Sequence, residues 1–253
     1  MINANDVVGL IPAAGKGVRL GLPYPKELYP IIRNNRYKPV TQFVLENLTA
    51  SGVEHVVFVI NETKHQLIGY FGDGSRFGCS VSYVFQEKKD VAGRSTSPGL
   101  ARALDSAYHL VRGRTVLFGM ADTIMTPKNV FSVLLSEADR DDDVVLGLYP
   151  TATPEKFGMV RFDSSGRVLR IVDKPQDTDL EYMWGCILWG PAFTEHLHDC
   201  IGRREIVDFA RVMNTAIDSK LQFLAVRVDG SYLDLGTYEE ILALDKRLRR
   251  LNW

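Results

Sequence analysis

Cysteine is scarce in this sequence, and Cys79, Cys186 and Cys200 lie far apart and odd in number. That excludes the disulfide framework on which small secreted domains depend, and it predicts reduced thiols in a cytoplasmic protein. No apolar run reaches the length of a membrane span, so no membrane partner is expected. The stretch from Met1 to Asp6 has no basic residue and the apolar run behind it is short, which predicts no secretory leader. An excess of one charge is lacking too: 30 Lys and Arg stand against 31 Asp and Glu, a formal net charge of −1. Without a basic surplus there is no ground to expect a nucleic-acid partner. Zinc is poorly served, because His196 and His198 lie two apart, which on a helix sends them to different faces. Low-complexity stretches, internal repeats and linkers are also missing.

What is present is a rhythm of buried strands and amphipathic helices. Val7 to Ala14 is the continuous apolar run that a parallel strand covered on both faces requires. Val40 to Leu48 carries apolar residues at helical spacing, with Gly52 as its stop. His55 to Ile60 then reads as a strand, Lys64 to Phe71 as a helix and Val81 to Gln86 as a strand. Leu100, Leu104, Ala107 and Val111 share one helix face; Thr115 to Met120 is a strand ending just before Asp122. A helix over Lys128 to Ala138 and a strand over Val144 to Tyr149 follow. Such alternation predicts an α/β fold, a Rossmann-like three-layer sandwich around a mixed, mostly parallel sheet.

After Pro150 the rhythm changes. Phe157 to Asp163 and Gly166 to Val172 flank Ser164-Ser165, a hairpin signal. Met183 to Trp189 and Leu221 to Val228 read as strands, Pro191 to Asp199 and Ile206 to Ser219 as helices. Ile241, Leu244, Leu248 and Leu251 fall on one face of a last helix, whose Lys246, Arg247, Arg249 and Arg250 suit a C-terminus.

The first strand runs into Pro12-Ala13-Ala14-Gly15-Lys16-Gly17-Val18-Arg19-Leu20-Gly21. Ligands of open parallel sheets bind beyond the carboxyl ends of the strands, and glycines let backbone N–H groups approach phosphate oxygens. The dinucleotide fingerprint fails, because Leu20 stands where its third glycine belongs; the P-loop spacing and its Gly-Lys-Ser/Thr are absent. A Gly-rich turn alone would be a plain strand-to-helix connection. Two cations beside it, Arg19 and Lys26, point instead to clamps on spread negative charge.

With those residues in view, the chain resembles the sugar-1-phosphate nucleotidyltransferases, above all the thymidylyl- and uridylyltransferases of glucose 1-phosphate. The resemblance rests on Gly15-Lys16-Gly17-Val18-Arg19-Leu20 followed by Pro25-Lys26-Glu27-Leu28-Tyr29-Pro30, a compound motif of high specificity. Matches to further family elements then follow in order over nearly the whole chain: Phe71-Gly72-Asp73-Gly74-Ser75, Gly99-Leu100-Ala101, Asp122, Phe157-Gly158-Met159-Val160, Asp173-Lys174-Pro175 and Asp234-Leu235-Gly236-Thr237. Ala14 and Asp173 depart from the usual glycine and glutamate, and the stretch from Gln86 to Gly99 is longer than in the thymidylyl enzymes.

The resemblance implies a single domain over 1–253, with a nucleotide-binding half of about 1–150 and a sugar-phosphate-binding half of about 151–253. It implies attack by a sugar-phosphate oxygen on the α-phosphorus of a nucleoside triphosphate, dTTP or UTP favoured, with release of pyrophosphate. A phosphate monoester is already anionic near neutral pH, so positioning and electrostatic stabilisation carry the catalysis. Ala13, Ala14, Gly15, Gly17, Gln86 and Gly99 are the implied nucleotide contacts; Arg19, Lys26 and Lys174 the implied phosphate cations. Gly158, Asp173 and Gly185 are implied at the sugar, and Asp122 with Asp234 would share Mg2+ with the phosphates. Alternatives stay open: a cytidylyltransferase of a polyol phosphate, a silent regulatory subunit that binds nucleotide or sugar phosphate, and, weakest, a dehydrogenase. Oligomeric state is open as well, a homo-oligomer included.

Overall fold

The computed structural model describes residues 6–15, 17, 20–33, 36–86, 89–91, 94–96, 99–139, 141–203, 205–241 and 244, with backbone alone at 33, 36, 89–91 and 94–96. The first half contains strands β1 (Val7–Pro12), β2 (Pro30–Arg33), β3 (Arg36–Pro39), β4 (His55–Ile60), β5 (Ser80–Phe85), β6 (Lys89–Val91), β7 (Arg94–Thr96), β8 (Thr115–Gly119), β9 (Thr123–Met125) and β10 (Val144–Pro150). Its helices are α1 (Val40–Ala50), α2 (His65–Phe71), α3 (Leu100–Ser106), α4 (Tyr108–Val111) and α5 (Val130–Glu137). The second half adds β11 (Gly158–Phe162), β12 (Val168–Asp173), β13 (Tyr182–Trp189), β14 (Phe223–Arg227) and β15 (Tyr232–Asp234), with α6 (Pro191–Gly202) and α7 (Phe209–Asp218).

The main sheet runs β12-β11-β13-β8-β1-β4-β5, and β10 pairs with both β13 and β14. It is mixed, as expected: β8, β1, β4 and β5 are mutually parallel, whereas β13 runs antiparallel to β8 and β10. The expected hairpin forms between β11 and β12. Alternate residues of β1 point to opposite faces. Val8 and Leu10 join a core with Leu104, Phe193 and Met213 of α3, α6 and α7. Val7 and Ile11 join the other, with Leu48, Phe71 and Phe131 of α1, α2 and α5. These are the two apolar interfaces of a three-layer sandwich.

Three pairings were not expected. β2 with β3 and β6 with β7 form small antiparallel ribbons, and β9 pairs antiparallel with β15. A third apolar cluster of Ile31, Val40, Phe43, Ile124, Leu233, Leu235 and Leu244 packs around the β9–β15 ribbon. Residues 238–241 and 244 are helical; the rest of the expected last helix lies outside the described residues. The helix expected over 100–111 is two, α3 and α4, because the backbone tightens to an i to i−3 hydrogen bond at Ala107. All three cysteines are free and buried, and no described helix is long and apolar enough to cross a membrane.

The chain leaves β1 toward β4 on one side, and β8 later takes the other side. The crevice where that order reverses is where an open α/β sheet binds its ligand. It lies between Ala13–Gly15 and Met120–Asp122. Gly119, at the end of β8, has no room for a side chain: a Cβ there would lie 2.5 Å from Val44 Cγ2. Gly119→Ala is therefore expected to lose about 1–3 kcal/mol by overpacking. Gly202→Ala, with nothing within 4 Å, should be neutral or gain up to about 1 kcal/mol. Urea denaturation of both variants checks the contrast, and equal stabilities would contradict the packing described.

Candidate active site

The loop after β1 is anchored before it opens. The Ala13 N–H donates to the Val59 carbonyl at 2.7 Å, and Asn61 Nδ2 donates to the Ala14 carbonyl at 2.5 Å. Ala14 is buried in the α3-side core, which gives its methyl group a packing role. Gly15 is exposed with open space around it, and Gly17 takes φ +63°, a conformation that favours glycine. Both leave backbone accessible to an anion. Arg19 lies outside the described residues.

Lys26 begins a single 3-10 turn, Lys26–Leu28, and its ammonium donates to Asp122 Oδ2. Asp122 follows β8 and is buried. Its neighbour Ala121 is fixed by a 2.6 Å hydrogen bond from the Thr41 hydroxyl on α1. The β9–β15 pairing sets Asp234 opposite Thr123, and the Leu235 N–H donates to the Asp122 carbonyl at 3.0 Å. Backbone pairing thus holds two acidic residues side by side.

The electrostatics record that closeness. Burial, then the charges of Asp122 and Glu240, push the Asp234 carboxyl up to about 7, against the pull of Lys26. Burial disfavours the Lys26 ammonium, yet the Asp122 carboxylate holds its pKa above the ordinary value. Glu240 accepts from the Gly236 N–H at 2.9 Å and from Lys156 Nζ at 2.8 Å. The pocket is richer in negative charge than Lys26 alone balances. Among the described residues no group of three His, Cys, Asp or Glu is placed to hold a metal. Two carboxylates beside Lys26 offer the oxygen donors that a hard cation takes, and Mg2+ commonly keeps phosphate and water among its ligands.

Two cavities flank this pair. The first, of about 170 Å³, is lined by Pro12, Ala14, Gly15, Lys26, Glu27, Gln86, Gly99, Leu100, Ala103, Met120, Ala121 and Asp122. Gln86, just beyond β5, donates from Nε2 to the Gly99 carbonyl at 3.3 Å. The second, of about 380 Å³, is bordered by Thr151, Thr153, Lys156, Phe157, Tyr232, Asp234 and Glu240, among others.

The other expected residues lie on the β11–β12 hairpin and on β13. Gly158 pairs with Asp173 across the hairpin. Lys174 follows at φ +45°, its N–H donating to the Phe157 carbonyl at 2.9 Å, its exposed ammonium 3.9 Å from Asp173 Oδ2. A left-handed lysine costs about 1–3 kcal/mol, and such strain clusters at functional sites. Gly158 and Gly185 also have packing reasons to be glycine. A Cβ at 185 would lie 2.7 Å from the rings of Tyr149 and Tyr232, and one at 158 would strike the Trp184 indole.

Sequence reasoning passed over Thr41, Asn61, Lys64 and Glu240. Asn61 carried a usable signal, since it directly follows β4 as Gln86 directly follows β5. The other three owe their places to long-range pairing.

The family model described as nucleotidyl transferase matches residues 8–250. The chain belongs to the nucleotidyl transferase family. A glucose-1-phosphate thymidylyltransferase of Neisseria meningitidis is 27% identical over 245 residues, 92% of this chain and 79% of that protein. A UTP–glucose-1-phosphate uridylyltransferase of Synechocystis is 25% identical, covering 90% of this chain and 59% of that protein. The fold is also that of a UDP-glucose pyrophosphorylase solved with UDP-glucose, at a TM-score of 0.77 and 22% identity over 99% of this chain and 100% of the other.

The raised Asp234 pKa has a signed consequence. A carboxyl at about 7 in the fold, against 3.8 in a free side chain, makes the folded state lose stability as pH rises through that window. Without added metal, Asp234→Asn should therefore raise the melting temperature more at pH 8 than at pH 5. Thermal melts at both pH values check it; an equal shift at both would contradict the charge crowding.

Proposed function

We propose that this nucleotidyl transferase joins a nucleoside triphosphate to a sugar 1-phosphate, giving an NDP-sugar and pyrophosphate. The observation that carries the reading is the Lys26–Asp122–Asp234 assembly at the sheet's switch point, between one cavity beside a Gly-rich loop and a second beside Lys156. Relatives named for glucose 1-phosphate favour a sugar phosphate over a polyol phosphate. A silent subunit has no need of a buried cation aimed at two crowded carboxylates.

In this reading an oxygen of the sugar phosphate attacks the α-phosphorus, and the bond from α-phosphorus to the bridging oxygen breaks toward pyrophosphate. The backbone at Gly15 and Gly17 cradles the departing phosphates, with Arg19 as their cation. Lys26 neutralises the α-phosphate, and Lys174 receives the phosphate of the sugar. Gly158, Asp173 and Gly185 border the sugar itself. Asp122 and Asp234 would hold Mg2+, which supplies charge neutralisation on phosphate oxygens when bound. Gln86 offers donor and acceptor groups that match the imide edge of thymine or uracil, so dTTP or UTP is the proposed donor.

The direct test is pyrophosphate release across nucleoside triphosphates and sugar 1-phosphates. A pyrimidine triphosphate with a hexose 1-phosphate should turn over best, and a purine triphosphate winning tenfold or more, about 1.4 kcal/mol, would sink the base assignment. Asp122→Asn should cost at least about 10²-fold in kcat, as loss of a main electrostatic stabiliser does. Lys174→Ala should raise KM for the sugar phosphate and leave KM for the nucleotide unchanged. Equal weakening of both substrates would remove Lys174 from the acceptor side.

A further inference from the structure

Lys26 sits on a turn with little of its own to hold it. The 3-10 turn is three residues long, follows Pro25 and has no side-chain cap; so short a turn has weak local stability. Its next residue, Glu27, is buried at the edge of the same cavity and is held by a partner of its own. Glu27 Oε2 accepts from Lys64 Nζ at 2.6 Å, and both side chains are 2% exposed.

Lys64 ends the 3-10 turn Glu62–Lys64, whose first N–H groups are served by Asn61: its Oδ1 accepts from the Thr63 N–H at 2.9 Å. Asn61 also holds the Ala14 carbonyl. The ion pair therefore ties the turn carrying Lys26 to the segment after β4, which already braces the Gly-rich loop. An apolar pair of similar size would serve stability equally well or better, because burying two ions forfeits their hydration. What apolar residues cannot supply is direction. Charge balance adds a second reason, since Glu27 borders the same cavity as Asp122. Left without Lys64, its carboxylate would compete with Asp122 for Lys26 and repel an incoming phosphate.

We infer that Glu27 and Lys64 are a positioning pair that aims Lys26 at Asp122 and the α-phosphate site. The inference rests on the nucleotidyl-transfer reading for its purpose, but its geometry can be tested without turnover. In the full-length protein, Glu27→Met with Lys64→Met removes both charges and keeps apolar bulk. Two readouts apply: the acylation rate of Lys26 by a dilute anhydride, followed by peptide mass spectrometry, and kcat with KM. Asp122→Asn, which frees Lys26 directly, calibrates the labelling.

The paired variant should label Lys26 about tenfold faster than the parent and lose about tenfold in kcat, with KM for the nucleotide within about threefold. If the methionine pair does not fold, Glu27→Asp withdraws the carboxylate by one methylene and should give the same changes in smaller degree. Parent-like labelling and kcat in the variant that folds would overturn the inference. An inactive parent that still shows the expected labelling pattern would retire the transfer reading and leave the positioning pair standing.

Discussion

The whole site depends on two carboxylates being held together against their mutual repulsion. Asp122 is delivered by the end of a central strand, Asp234 by a three-residue strand from far down the chain, and backbone hydrogen bonds fix their register. The apolar cluster around Ile124, Leu233 and Leu235 keeps that ribbon in place. Hydrophobic burial thus maintains an electrostatically unfavourable pair, which Lys26 relieves in part and a divalent cation would relieve further. A carboxyl so shifted, in a cleft and beside a named charge partner, marks a candidate functional site.

The same ribbon brings remote parts of the chain together: β9 follows β8, and β15 follows β14. Asp122 lines the cavity beside Gly15 and Gln86, and Asp234 lines the cavity beside Lys156 and Phe157. In the proposed reading, a donor in one and an acceptor in the other would meet at Lys26 and at the cation that the two carboxylates would hold. Proximity and charge neutralisation then suffice for phosphoryl chemistry without a nucleophilic side chain.

Much of this was legible in the sequence because buried parallel strands advertise themselves. Val7–Pro12, His55–Ile60 and Thr115–Gly119 are apolar runs without polar interruption, and the residues just beyond them, Gly15 and Asp122, line the cleft. Gln86 was legible for the same reason. The β9–β15 ribbon was not, since three residues show no period and the partner is remote in sequence. Lys64 read as an ordinary first residue of a helix; only the folded chain shows it buried against Glu27. Gly185 was read for a sugar, and the structure adds two tyrosine rings that exclude a side chain there. Arg19, prominent in the motif, lies outside the described residues, and its place rests on the sequence.

The central claim, that Asp122 and Asp234 converge to hold one divalent cation at the phosphates, is tested most directly by anomalous diffraction. Crystals grown with Mn2+ and a non-hydrolysable analogue of UTP or dTTP should show one strong manganese peak bound by both carboxylates and by phosphate oxygen. A peak elsewhere, such as the acidic stretch from Asp141 to Asp143, with none between Asp122 and Asp234, would contradict the account.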